Sequence, residues 1–169
     1  MSATFLWENF FRHKEKADIF TLLKRIPIFE ALSHRHLKLV ERILHTRSYA
    51  QGERVFVEGD RGSAMYIIQT GEVAMVTGKS EQEIVRLHDG DFFGEVSLLV
   101  DAPRNATAVV LRETKMFAFS EPDLLSILET HPRLGIAVVM KLSRIIAERL
   151  QRATLDNRLL HDRLAEFGQ

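Results

Sequence analysis

The sequence predicts a mainly β domain flanked by α-helices, and three observations carry the prediction. Glycines crowd the centre of the 169-residue chain: Gly52, Gly59, Gly62, Gly71, Gly78, Gly90 and Gly94 fall there, and only Gly135 and Gly168 fall elsewhere. Between and after these glycines lie short β-prone runs, "RVFVE" (54–58), "AMYIIQ" (64–69), "EVAMVT" (72–77), "EIVRL" (83–87), "ATAVVL" (106–111) and "KMFAFS" (115–120). Short strands punctuated by turn residues are the pattern of a barrel or a two-sheet sandwich. Both flanks, in contrast, space their apolar residues by threes and fours, as amphipathic helices do.

The elements follow in order. At the N-terminus "TFLWENFF" puts Leu6 and Phe10, with Trp7 and Phe11 beside them, on one apolar helix face expected to dock within the protein. Ser33 caps a helix that carries Leu37, Val40, Ile43 and Leu44. After the strands, Ser120-Glu121-Pro122-Asp123 has the Ser-x-x-acid form of a capping box, with proline in the first turn. One long helix follows His131-Pro132. Its first part presents a wide apolar face of Val138, Val139, Leu142, Ile145 and Ile146, suited to covering a domain. From Leu150 the spacing becomes a heptad seam of Leu150, Ala153, Asn157, Leu160, Leu164 and Phe167, with Asn157 at an a position. That seam predicts a homodimer through the C-terminal helix; packing on its own barrel is the alternative. The domain organisation is then a helical extension over 1–25, the β domain over 26–130 and a lid or dimerisation helix over 131–169.

Composition narrows the function classes. Twenty-three basic and 23 acidic residues leave a formal net charge of zero, so no overall field draws the molecule onto nucleic acid or an anionic membrane. The chain has no cysteine, which excludes disulfides, thiolate metal sites and cysteine nucleophiles, and fits a reducing, cytoplasmic compartment. No apolar run is long enough to span a bilayer. His34 and His36, two apart on a helix, point in different directions, and His88, Asp89 and Asp91 fall in a turn, so no metal cluster is expected. Nor does spacing reveal a nucleophile beside a base, and no enzymatic activity is expected.

The candidate site lies in "FFGEVSLLVDAPRNAT" (92–107). Gly94 removes a side chain where the backbone needs close approach, and Glu95, Val96 and Ser97 can begin one helical turn. Arg104 supplies a permanently charged planar fork that fits phosphate oxygens, and the N–H groups of Asn105 and Ala106 can also reach an anion. Glu95 beside a phosphate needs a hydroxyl to accept from. A phosphorylated ribose satisfies both charges; an internal Glu95–Arg104 ion pair without a ligand is the alternative on residue types alone.

The string as a whole resembles the phosphate-binding cassette of the cyclic nucleotide-binding domain family, which includes catabolite activator proteins, regulatory subunits of cyclic-nucleotide-dependent kinases and cyclic-nucleotide-gated channels. The resemblance extends to "IPIFEALSHRHLKLV", "GERVFVEGDRGSAMYIIQTGEVAM" and "EPDLLSIL", covering roughly Ile26 to Leu150. It implies an eight-stranded, jelly-roll-like β-roll in which Gly94, Glu95, Val96, Ser97, Arg104, Asn105 and Ala106 form the ligand site. By the same resemblance Thr154, in "LSRIIAERLQRAT", is the match for a hydroxyl contact to the adenine amino group, while Ala153 replaces a hydroxyl residue. Arg149, Arg152 and Arg158 are alternative partners for the purine face. Asn105 follows neither the alanine of cAMP sites nor the threonine of cGMP sites in the kinase branch. The implied function is a cyclic nucleotide sensor, for cAMP with cGMP as the alternative, that signals by helix movement to an unidentified protein partner. A module of the same fold that binds another ligand or none is the second reading. The residues after the long helix are too few for a helix-turn-helix, so direct DNA binding is not expected.

Overall fold

Two 14-residue strands organise the molecule. A computed structural model describes residues 19–167, with side chains to residue 158. In chain order the elements are α1 (residues 19–25), α2 (His34–Ile43), β1 (His45–Tyr49), β2 (Arg54–Phe56), β3 (Ala64–Thr77), β4 (Gln82–His88), β5 (Phe92–Phe93), a 3-10 turn (Glu95–Leu98), β6 (Thr107–Ser120), α3 (Glu121–Thr130) and α4 (Pro132–Phe167). The long strands β3 and β6 pair antiparallel from Ala64 opposite Ser120 to Val76 opposite Thr107. β1 and β2 add to β6, β4 and β5 add to β3, and all of these pairings are antiparallel.

The runs read as separate strands at 64–69 and 72–77 are one continuous strand, and so are those at 106–111 and 115–120. Counting each long strand as two halves recovers eight. What joins the halves of β3 is a series of register shifts between Ile68 and Val73, the signature of bulges that bend a strand without ending it. Gly71 sits at the bend with φ +136°, and a Cβ there would lie 2.1 Å from Thr114 Oγ1. The backbone groups freed by the bend find side chains. Gly71 N–H donates to Asp89 Oδ1 at 2.8 Å, and Glu72 N–H donates to Thr114 Oγ1 at 3.1 Å.

Burial separates the roll into two ends. At one end Ile68, Val73, Phe93, Ala108, Val110 and Met116 pack inside the roll itself. At the other, Met65 and Ile67 of β3 and Phe117 and Phe119 of β6 meet α1, α2, α3 and α4, through Leu23, Leu37, Val40, Leu124, Val138 and Leu142 among others. The helices begin as the caps predict. Ser33 accepts from His36 N–H at 3.3 Å, and Ser120 and Asp123 form the reciprocal capping box. Gly135 lets α4 approach α3, since a Cβ there would lie 2.8 Å from Leu128 Cα. The predicted wide apolar face of α4 is used: Val138, Leu142 and Ile145 are buried. Leu6, Trp7, Phe10 and Phe11 lie outside the described residues, as do the side chains of Leu160, Leu164 and Phe167. No helix among the described residues is long and apolar enough to cross a membrane.

Because Gly71 combines a left-handed φ with contact to a fully buried threonine, Gly71→Ala is expected to cost at least about 2 kcal/mol of stability. Chemical denaturation checks this, and a variant as stable as the parent would show that the bend tolerates a side chain.

Candidate ligand site

The site is built where β5 runs out. Phe92 and Phe93 pair with Ile67 and Tyr66 of β3, and Gly94 then turns the chain through φ +76° into the 3-10 turn. Glu95, Ser97 and Leu98 of that turn are buried. Arg104 arrives from the far side of the loop, anchored by its own backbone: its N–H donates to Asp60 O at 2.8 Å, and its carbonyl accepts from Gly59 N–H at 2.8 Å.

The Arg104 side chain is only 6 % exposed. Its Nη1 donates to Ser97 Oγ at 2.8 Å and to Gly94 O at 3.2 Å, and its Nη2 donates to Ala64 O at 2.7 Å. The guanidinium stacks on Phe56, 4.0 Å from the ring centroid. Two glycines make room for it: a Cβ at Gly62 would lie 2.2 Å from Nε, and one at Gly94 would lie 2.7 Å from Nη1. Burial pushes the Arg104 pKa down, while Tyr66, Glu95 and Asp60 pull it back up. A guanidinium starts so high that it stays charged. Nε is buried with no hydrogen-bond partner among the described residues. The result is a buried cation held by neutral oxygens and an aromatic face, with charge left to satisfy.

Glu95 does not pair with Arg104. Its carboxylate, on a residue 5 % exposed, accepts from Arg149 Nη1 of α4 at 2.7 Å, and Arg149 also lies over the Phe92 ring at 4.8 Å. The internal ion pair weighed from residue types is therefore replaced by one that reaches across 54 positions of sequence. No local spacing announces such a pair; only the return of α4 over the loop creates it.

A cavity of about 720 Å³ opens beside these groups. Gly94, Glu95, Val96, Ser97, Arg104 and Asn105 line it together. Ala106 is buried at the start of β6 but is not on the cavity wall. Thr154, expected from the resemblance to contact the base, is also off the wall. It is exposed on α4, its hydroxyl donating to Leu150 O at 2.9 Å, and the neighbouring Ala153 faces the cavity instead. One residue along a helix turns a side chain by about 100°, enough to carry it off the wall. Arg152 and Arg158 are exposed and do not line the cavity. Phe56, Phe92, Met75, Val85 and Leu87 also line the wall, at positions that the residue pattern alone does not assign to the site. The alternation of Val85 and Leu87 in "EIVRL" was the available signal, since residues two apart share one face of a strand. Among the described residues no group of three or more His, Asp or Glu is placed to hold a metal ion.

Comparison with known proteins places these features in context. A family model described as "Cyclic nucleotide-binding domain" matches residues 46–131. A cyclic AMP receptor protein of Thermus thermophilus is 32% identical over 141 residues, covering 82% of this chain and 63% of the relative. A cAMP-dependent protein kinase regulatory subunit of Hypocrea atroviridis is 32% identical over 111 residues, covering 66% of this chain and 23% of the relative. Among solved structures, the Thermus thermophilus catabolite activator protein superposes with a TM-score of 0.70 at 33% identity, over 79% of this chain and 62% of that one. The chain thus spans less than two thirds of the length of each.

The Glu95–Arg149 pair joins a buried carboxylate to a half-exposed guanidinium, between the small worth of surface pairs and the larger cost of breaking buried ones. Arg149→Ala is expected to destabilise the fold by about 1–2 kcal/mol, with Arg149→Lys recovering part of the loss. Urea titration of the two variants measures this; an Arg149→Ala protein of parental stability would show that the pair contributes nothing to docking α4.

Proposed function

The chain belongs to the cyclic nucleotide-binding domain family, and on that premise we propose that it is a cAMP sensor that binds its ligand between the cassette loop and α4 and signals through α4 to a protein partner. It acts by binding, with no catalytic step. The observation that carries the reading is the buried Arg104 cation, without an ion-pair partner among the described residues and facing a cavity of about 720 Å³. Pockets for small molecules are typically roughly 300–1,000 Å³, so the space suits a nucleotide. A ligand-free module of the same fold would have no use for a desolvated charge held open in this way.

In this reading Arg104, with Ser97, Asn105 and the backbone of Gly94, Val96 and Ala106, takes the cyclic phosphate. Glu95 takes the ribose 2′-hydroxyl, because a carboxylate has about four lone-pair sites and Arg149 uses one of them. The base lies toward the apolar wall formed with α4. Two relatives named for cAMP support that nucleotide over cGMP.

α4 packs on the core through Val138 and Leu142 while Ile146, Arg149, Leu150 and Ala153 of the same helix line the cavity. A ligand that touches this wall shifts the population of α4 positions by its differential contacts with them, and by nothing else. Homodimerisation along the Leu150–Phe167 seam is part of the proposal, since Leu150 and Asn157 are exposed on α4.

Arg104→Ala is expected to weaken cAMP binding by at least about 2 kcal/mol, or about thirtyfold, since hydrogen bonds to charged groups contribute roughly 1.5–3 kcal/mol each. Calorimetry giving equal affinities for parent and variant would overturn the reading. Hydrogen exchange along residues 145–158 is expected to slow when cAMP is added, as a ligand seated against α4 suppresses its local opening. Unchanged exchange there would mean that the signal leaves by another surface.

A further inference from the structure

Most polar side chains of the cavity are tied to one another. Ser97 is bonded to Arg104, Asn105 is the next residue in the chain, and Glu95 is bonded to Arg149. The rest of the lining is apolar and includes Met75, Val85 and Leu87 from the strands and Ile146, Leu150 and Ala153 from α4. Hydroxyl and guanidinium groups close by on α4 are turned away or committed. Thr154 donates to Leu150 O, and Arg149 is held by Glu95 over the Phe92 ring. Two of the apolar wall residues are also left uncovered, Val85 at 46% and Leu150 at 66% exposure.

Resting on the proposed function, we infer that this apolar lining holds a purine by its faces and does not read its edge, so that the site itself does not separate cAMP from cGMP. A pocket that hydrogen-bonds an exocyclic group rejects the analogue lacking it by roughly 10⁴–10⁵, because its own polar groups are left unpaired, whereas an apolar wall has no polar group to strand. The uncovered Val85 gains the same burial from either purine. The phosphate and ribose, common to both ligands, carry the affinity, and discrimination between purine nucleotides falls to their supply.

The test titrates the full chain with cAMP, cGMP and the cyclic 3′,5′-monophosphate of purine riboside, which lacks a 6-substituent. The three dissociation constants are expected to agree within about tenfold, or about 1.4 kcal/mol, and a wider spread overturns the inference. Val85→Ala, at a half-exposed strand position outside the α4 seam, is expected to weaken all three by a common factor of about three or more from the apolar cover removed. A factor that differs between the ligands beyond threefold, or no weakening of any, overturns it as well. If the three bind through Arg104 but differ widely, only this inference falls. If none of them binds, the cyclic nucleotide reading falls and takes the inference with it.

Discussion

Everything at the candidate site depends on keeping one guanidinium charged, rigid and out of water. Arg104 is surrounded by the carbonyls of Ala64 and Gly94, the hydroxyl of Ser97 and the ring of Phe56, all of them neutral. Neutral acceptors hold the fork in place without cancelling its charge. Glu95 and Asp60 act on the cation without bonding to it, whereas a carboxylate in direct ion pair would leave little for an anion to do. Gly62 and Gly94 belong to the same arrangement, since either side chain would occupy the volume of the guanidinium. The chain accepts a desolvated, incompletely bonded cation, which is an expensive state for folding and an apt one for binding phosphate.

That constraint explains why the long strands matter. Ala64 stands at the first position of β3, where its carbonyl meets Arg104, and the bend at Gly71 brings the second half of the same strand round to place Met75 on the cavity wall. One strand thereby supplies an anchor for the cation and part of the apolar wall. Its partner β6 holds the bend in register through Thr114, which is fully buried. A flat sheet would have separated these two contributions.

The long helix α4 closes the arrangement. Its buried stripe ends near Ile145, and the turns that follow carry Ile146, Arg149, Leu150 and Ala153 over the loop. The ion pair between Arg149 and Glu95 makes the helix part of the site, so that the carboxylate which neighbours the cassette is also a fastening point of the element that carries the proposed signal. Movement of the one is felt by the other because both charges are partly desolvated, where electrostatic interactions are less screened than in water.

The sequence by itself determined what local chemistry can determine. The helix caps at Ser33 and Ser120, the apolar face of α4, the β-prone runs and the cluster of Gly94, Glu95, Ser97 and Arg104 follow from residue types at short spacing, and the structure places that cluster on one cavity. Tertiary structure decided the rest. Whether 64–69 and 72–77 were two strands or one bent strand depended on Thr114, more than 40 residues away, accepting the hydrogen bond the bend releases. The partner of Glu95 and the choice of Ala153 over Thr154 on the wall depended on the angle at which α4 crosses the loop. Helical spacing fixes which residues share a face, but the rotation of that face is set by how α4 packs on α3 and the roll, through Gly135, Val138 and Leu142, and no short stretch of sequence contains that packing.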